Sequence, residues 1–129
     1  MASLDPSDVR AVVRDIFAAS DRNDLEALRQ HPGLSETVHY IPALWAALPD
    51  LRHTLEHQFV AGNVVTTVAM ARGTHHGTLL GLPATGKSVS FMVLSVDRVV
   101  DGKVDQHFGL PDWMAMLAPL GALPTLAAA

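Results

Sequence analysis

Cysteine is absent from the 129 residues, which excludes a disulfide scaffold, a thiolate zinc site and a cysteine nucleophile together. Clusters of basic residues are missing too. Nine Lys and Arg stand against 13 Asp and Glu, a formal net charge of −4, so no nucleic-acid footprint is expected. Charged residues are scarce at 17%, below the usual quarter, so part of the surface must be apolar or covered by a partner. A homodimer is the expected form, since symmetric pairs are the commonest assemblies. Long hydrophobic runs are lacking as well. The longest uncharged stretch, Trp113 to Ala129, is interrupted by Pro119, Gly121 and Pro124 and is shorter than the roughly 20 residues of a membrane span. Met1 to Pro6 lacks the basic region and apolar run of a signal peptide, so a cytoplasmic protein without membrane partners is expected. The length fits one domain over residues 1–129, with a core large enough to need no staples.

What is present divides into two halves. Asp5-Pro6, with Asp8 in the next turn, suits a helix start, and Val9, Val12, Val13, Ile16 and Phe17 follow as one apolar stripe. Asp21 to Asn23 break it. A short helix is predicted over Asp24 to Gln30, stopped by His31-Pro32-Gly33, and a third from Ser35 with Leu44, Trp45 and Leu48 on one side. From Leu51 the period changes to two, placing Leu51, His53, Leu55, His57 and Phe59 on one strand face. Further strands are predicted over Val64 to Arg72, Ser88 to Val100 and Lys103 to Phe108, with Asp101-Gly102 as a type I′ hairpin turn. A short helix follows at Trp113 to Leu117. Helices first and antiparallel strands after give an α+β domain.

Two pattern matches fail on context. Gly81-Leu-Pro-Ala-Thr-Gly86-Lys87-Ser88 fits the phosphate-loop pattern, but that chemistry needs a helix after the lysine, and Val89, Phe91 and Val93 follow at strand spacing. His53-Thr-Leu-Glu56-His57 fits a metallopeptidase pattern whose two histidines must share a helix face. On a strand they stand about 13 Å apart, too far for one ion. His75 and His76, adjacent on a strand, would point to opposite faces. No metal site is expected.

Gly73-Thr-His-His-Gly77, Gly81 to Gly86, Arg98-Val-Val-Asp101-Gly102-Lys103, His107 and Asp112 form an ordered series. In order and spacing it resembles the SnoaL-like polyketide cyclase family of the nuclear-transport-factor-2-like superfamily. Pro49-Asp50-Leu51 and Leu117-Ala-Pro-Leu120-Gly121-Ala-Leu-Pro124 extend the resemblance. It implies a cone-shaped curved antiparallel sheet wrapped around N-terminal helices, with an apolar central cavity. It also implies a cofactor-independent, aldol-type ring closure of a polyketide-derived small molecule, with Asp112 as acid/base five residues after the histidine of the family's His-Trp pattern, here His107-Phe108. Arg98 stands where some members carry a histidine that partners the aspartate. The stretch Asp24 to Pro49 is short for the family's usual helix, strand and helix, so the pocket would be more open, completed by a second subunit, or given over to a different substrate.

The residues themselves allow each role a plainer counterpart. With Asp101-Gly102 as the turn, Arg98 would pair opposite Asp105 and Val96 opposite His107, putting Arg98, Asp105 and His107 on one face. A carboxyl at Asp112 buried among Phe108, Trp113 and Met114 would suit carbon-acid chemistry, with His107 or Arg98 beside a developing oxyanion. Asp112 before Trp113 is equally a helix N-cap. His107 is equally a satisfied core histidine, and Arg98 with Asp105 a plain cross-strand pair. Trp45, Tyr40, Met70, Met92, Phe108 and Trp113 are candidates to line a cavity, or simply core, and His53 and His57 face either cavity or solvent. Epoxide hydrolysis or isomerisation on the same scaffold, and non-catalytic binding of an apolar small molecule, are the alternative functions.

Overall fold

The computed structural model describes residues 6–122. Asp5 ahead of the first helix and Pro124 of the C-terminal motif lie outside the described residues. The elements run α1 (Pro6–Asp21), α2 (Leu25–Arg29), a 3-10 turn at Pro32–Leu34, α3 (Ser35–Ala47), β1 (Arg52–Ala61), β2 (Val64–Thr74), β3 (Ser88–Val100), β4 (Lys103–Pro111), α4 (Trp113–Leu117) and a 3-10 turn at Ala118–Leu120. The strands form one antiparallel sheet in the order β1-β2-β3-β4, curved but unclosed. The segment Asp24 to Pro49 holds two helices and the 3-10 turn and adds no strand, so the sheet stays at four.

Local chemistry accounts for these boundaries. Asp24 caps α2 by accepting from the Ala27 N–H at 3.1 Å. Asp101 (φ 51°) and Gly102 (φ 75°) take the two left-handed positions of the hairpin between β3 and β4. The core sits between α1, α3 and the concave face of the sheet, where Val9, Val13, Leu28, Leu34, Leu48, Val65 and Val104 are almost wholly buried. Strand β3 alternates strictly, with Val89, Phe91, Ser95, Asp97 and Val99 buried and Met92, Leu94, Val96 and Arg98 exposed.

Two bulges change what a simple alternation gives. In β1, Leu55 pairs with Ala69 and His57 with Val68, leaving Glu56 out of the ladder. In β4, Gln106 pairs with Arg98 and Val104 with Val99, leaving Asp105 out. Each extra residue flips the faces beyond it. His57 is therefore exposed on the outer face, stacked on Phe59 at 5.9 Å between centroids, and does not share the face of His53. His107 pairs with Asp97 instead of Val96, and Arg98 points away from it.

The rejected patterns have the predicted context. Ser88 opens a strand, and His53 and His57 both belong to β1. No described helix is long and apolar enough to cross a membrane.

Candidate functional site

A cavity of about 100 Å³ lies between the helices and the concave face of the sheet. Its walls are mostly apolar: Ile16 and Phe17 from α1, Leu28 and Leu34, Ile41 and Leu44 from α3, Phe91 and Val93 from β3. Into this lining project His53, Ser95, Asp97, His107, Thr37 and Tyr40. The cavity shares Thr37, Tyr40, His107 and Gly109 with a more polar surface groove of about 540 Å³, which adds Ser35, Glu36, Asp105 and Gln106. His107 stands at the junction of the two.

The geometry at that junction is specific. The Nδ1 of His107 lies 2.6 Å from Oδ1 of Asp97, whose side chain is 3% exposed against 19% for the histidine. A carboxylate can only accept, so Nδ1 carries the hydrogen and the neutral ring presents a lone pair at Nε2. The next residue on that face is Gly109. A Cβ there would lie 2.8 Å from Nε2 of His107, so the lack of a side chain keeps the space beside that nitrogen open. Ser95, one step along the same face from Asp97, is 2% exposed, and its hydroxyl has no protein partner. A buried, unsatisfied hydroxyl in a cavity wall is a natural donor to a bound molecule.

Of the residues expected to act, His107 lies in the cavity and the other two do not. Asp112 is exposed; its Oδ1 accepts from the Ala115 N–H at 3.0 Å as the N-cap of α4, and it borders an open surface dent with Met92, Leu94 and Leu110. The strand parity that turns Pro111 to the cavity turns its neighbour outward, and the cap fixes it there. Arg98 is spent on the outer face in a bidentate pair with Asp105, at 2.8 and 2.9 Å. That bond holds the Asp105 carboxyl below the usual carboxylate range.

Among the expected lining residues, Tyr40, His53 and Trp113 do reach the cavity. Trp45 is buried at 8% exposure in the core and lines no part of it. Met70 and Met92 face each other across β2 and β3 on the outer face, and Phe108 projects outward at 62% exposure, bordering only the groove. His57 is outside as well. Sequence reasoning missed Asp97 and Ser95. Their signal was present: Phe91, Val93, Ser95, Asp97 and Val99 share a parity, and an acid among apolar partners on an inward strand face needs a partner of its own.

Among the described residues, no group of three or more His, Asp or Glu side chains is arranged to hold a metal ion.

Comparison with known proteins gives a consistent result. A family model for SnoaL-like polyketide cyclase matches residues 2–120. Over 49 residues the chain is 41% identical to the aklanonic acid methyl ester cyclase of Streptomyces peucetius, an alignment covering 38% of this chain and 34% of that protein. It is 39% identical over 49 residues to the nogalonic acid methyl ester cyclase of Streptomyces nogalater, covering 38% and 37%. The matched segment thus spans about a third of these relatives. Among solved structures, AclR of Streptomyces galilaeus, a candidate hydroxylase, superposes with a TM-score of 0.86 at 25% identity, covering 95% of this chain and 86% of that one. IdmH of Streptomyces antibioticus, a candidate polyketide cyclase, gives 0.76 at 27% identity, covering 88% and 99%.

Proposed function

Because this chain belongs to the SnoaL-like polyketide cyclase family, we propose that it closes a ring within a polyketide-derived small molecule by an aldol-type step, with His107 as the base. The observation that carries this reading is the buried Asp97 behind His107 at the mouth of an apolar cavity. Asp97 orients the ring and stabilises the imidazolium that forms when Nε2 takes a carbon-bound proton. The electron pair left behind attacks a carbonyl carbon of the same molecule, and the carbonyl oxygen becomes an alkoxide. The free hydroxyl of Ser95 supports that oxygen, and an apolar enclosure strengthens the contact. The alkoxide is then protonated and His107 returns its proton to solvent, so the ring closes with no net gain or loss of atoms.

The two recesses suggest how a substrate lies. About 100 Å³ is too small for a polycyclic molecule, whereas drug-sized ligands occupy roughly 300–1,000 Å³. The reacting end therefore enters past His107 while the rest lies in the polar groove. A neutral ester of the kind named for the relatives suits a groove carrying Glu36 and Asp105.

The test is incubation with aklanonic acid methyl ester and nogalonic acid methyl ester. Ring closure within one molecule leaves its mass unchanged. Addition of water, as in epoxide hydrolysis, or insertion of oxygen, as in hydroxylation, raises the mass and would overturn the reading, as would binding without turnover.

We also propose a homodimer formed through the outer face of the sheet. Met92, Leu94, Val96, Phe108, Leu110 and Met114 are exposed there, and Leu94 pairs with Leu110 and Val96 with Phe108 across the strands. Such a contiguous apolar surface favours a partner. Sedimentation should give a dimer that Leu110→Glu dissociates; a monomeric wild type contradicts this. A cytoplasmic site of action fits a diffusible substrate.

A further inference from the structure

A second histidine–aspartate pair enters the same cavity from the opposite edge of the sheet, on β1. The Nδ1 of His53 lies 2.7 Å from Oδ1 of Asp21, and both oxygens of Asp21 also accept the backbone N–H of His53, at 3.1 and 3.2 Å. The His53 side chain is 9% exposed and that of Asp21 24%. Phe17 meets the imidazole edge-on at 5.1 Å, which fixes its plane. His53 also lines the cavity that His107 enters. Among the described residues, neither histidine has a hydrogen-bond partner on Nε2.

The position of Asp21 is informative. It is the last residue of α1, with no basic residue in that turn. An acid at the negative end of a helix is disfavoured unless a positive charge accompanies it. The carboxylate and the helix end together place negative charge beside the His53 ring. Asp97 lies in mid-strand and has no helix end beside it.

Resting on the ring-closure reading above, we propose that Asp21–His53 is a second proton-transfer pair, which protonates the new alkoxide while His107 removes the carbon-bound proton. The balance is simple. The C–H bond breaks, its proton goes to His107 and its electron pair forms the new carbon–carbon bond. The carbonyl π pair moves onto oxygen, which takes the proton from Nε2 of a protonated His53. Exchange with water then moves one proton from His107 back to His53. Nothing is oxidised or reduced.

The experiment uses the two methyl esters in deuterated buffer with wild type, His53→Gln, Asp21→Asn and His107→Gln, each checked for folding by its melting temperature. Two rates are read: exchange of carbon-bound hydrogen into recovered ester, above the buffer rate, and ring closure. His53→Gln should keep exchange within about threefold while closure falls at least a hundredfold, the range of a lost proton donor. Asp21→Asn keeps an oxygen for the backbone N–H of His53, and should reduce closure at least tenfold while exchange persists. Closure at the wild-type rate in both variants overturns the proposal, as does a parallel loss of exchange and closure. If His53→Gln does not fold, the Asp21→Asn result decides alone. Failure of the base assignment reads differently: His107→Gln would then exchange hydrogen as fast as wild type.

Discussion

Asp97 and His107 face each other across β3 and β4 because Asp105 is left out of the ladder between them. A regular hairpin from Asp101-Gly102 would set His107 opposite Val96 on the outer, apolar surface. One extra residue turns it inward onto a buried carboxylate. The freed β4 backbone is secured from the other side, where the Val104 N–H donates to Nδ1 of His31 at 3.0 Å. The bulge therefore both makes the pair and aims it at the cavity.

Gly109 is expected to tolerate no side chain during turnover. An added methyl would stand 2.8 Å from Nε2 of His107, and the bond to Asp97 prevents the ring from swinging aside. Gly109→Ala should lower kcat/KM at least tenfold in a protein that still folds, with a melting temperature reduced by the strain of the forced contact. Steady-state kinetics beside a thermal melt checks this, and undiminished activity would mean that Nε2 is not the reacting atom.

Ser95 separates binding from stability. Its buried hydroxyl has no protein partner, so Ser95→Ala removes an unsatisfied polar group and should leave the melting temperature equal or higher. Loss of the hydrogen bond to substrate, about 1 kcal/mol, should weaken the reaction several-fold. A variant with a lower melting temperature and full activity would assign Ser95 to the fold alone.

Asp112 should matter to stability and not to chemistry. Asp112→Ala removes the N-cap of α4, a loss of about 1 kcal/mol, while Asp112→Asn keeps a capping oxygen. Both variants should turn over at the wild-type rate in denaturant-free assays. Loss of activity in Asp112→Asn at unchanged stability would restore this residue to the catalytic centre.

His31 gives a pH signature. Burial and then the nearby Lys103 charge lower its pKa from the ordinary 6.5, which suits a ring that accepts the Val104 N–H. The unfolded chain takes up the proton first as the pH falls, so this contribution is complete above about 6.5 and is lost as pH falls through the lower folded value. The melting-temperature advantage of wild type over His31→Phe should shrink between pH 7.5 and pH 5. A constant difference would contradict it.

The sequence carried the fold further than the site. Helix α1, the strand run of β3 and the Asp101-Gly102 turn are written in local periodicity and turn chemistry, and they stand where those signals put them. The site depended on face assignments, and two single-residue bulges, at Glu56 and Asp105, reversed them. Nothing in the local composition marks either residue as extra, because a bulge is decided by what packs beyond it, here His31 beside Val104. Uninterrupted alternation thus puts His57 and Arg98 on the wrong side, while the parity of Asp97 with Phe91 and Ser95 is legible in the sequence. Asp112 was recognisable as a cap from its place before Trp113, and the cap is the role its geometry supports.

The central claim is tested most directly by the rate of ring closure on aklanonic acid methyl ester in wild type, His107→Gln and Asp97→Asn. Loss of at least a hundredfold in kcat in both variants, with folded protein and a KM within a few-fold of wild type, is the expected result. Closure by His107→Gln at the wild-type rate would contradict it.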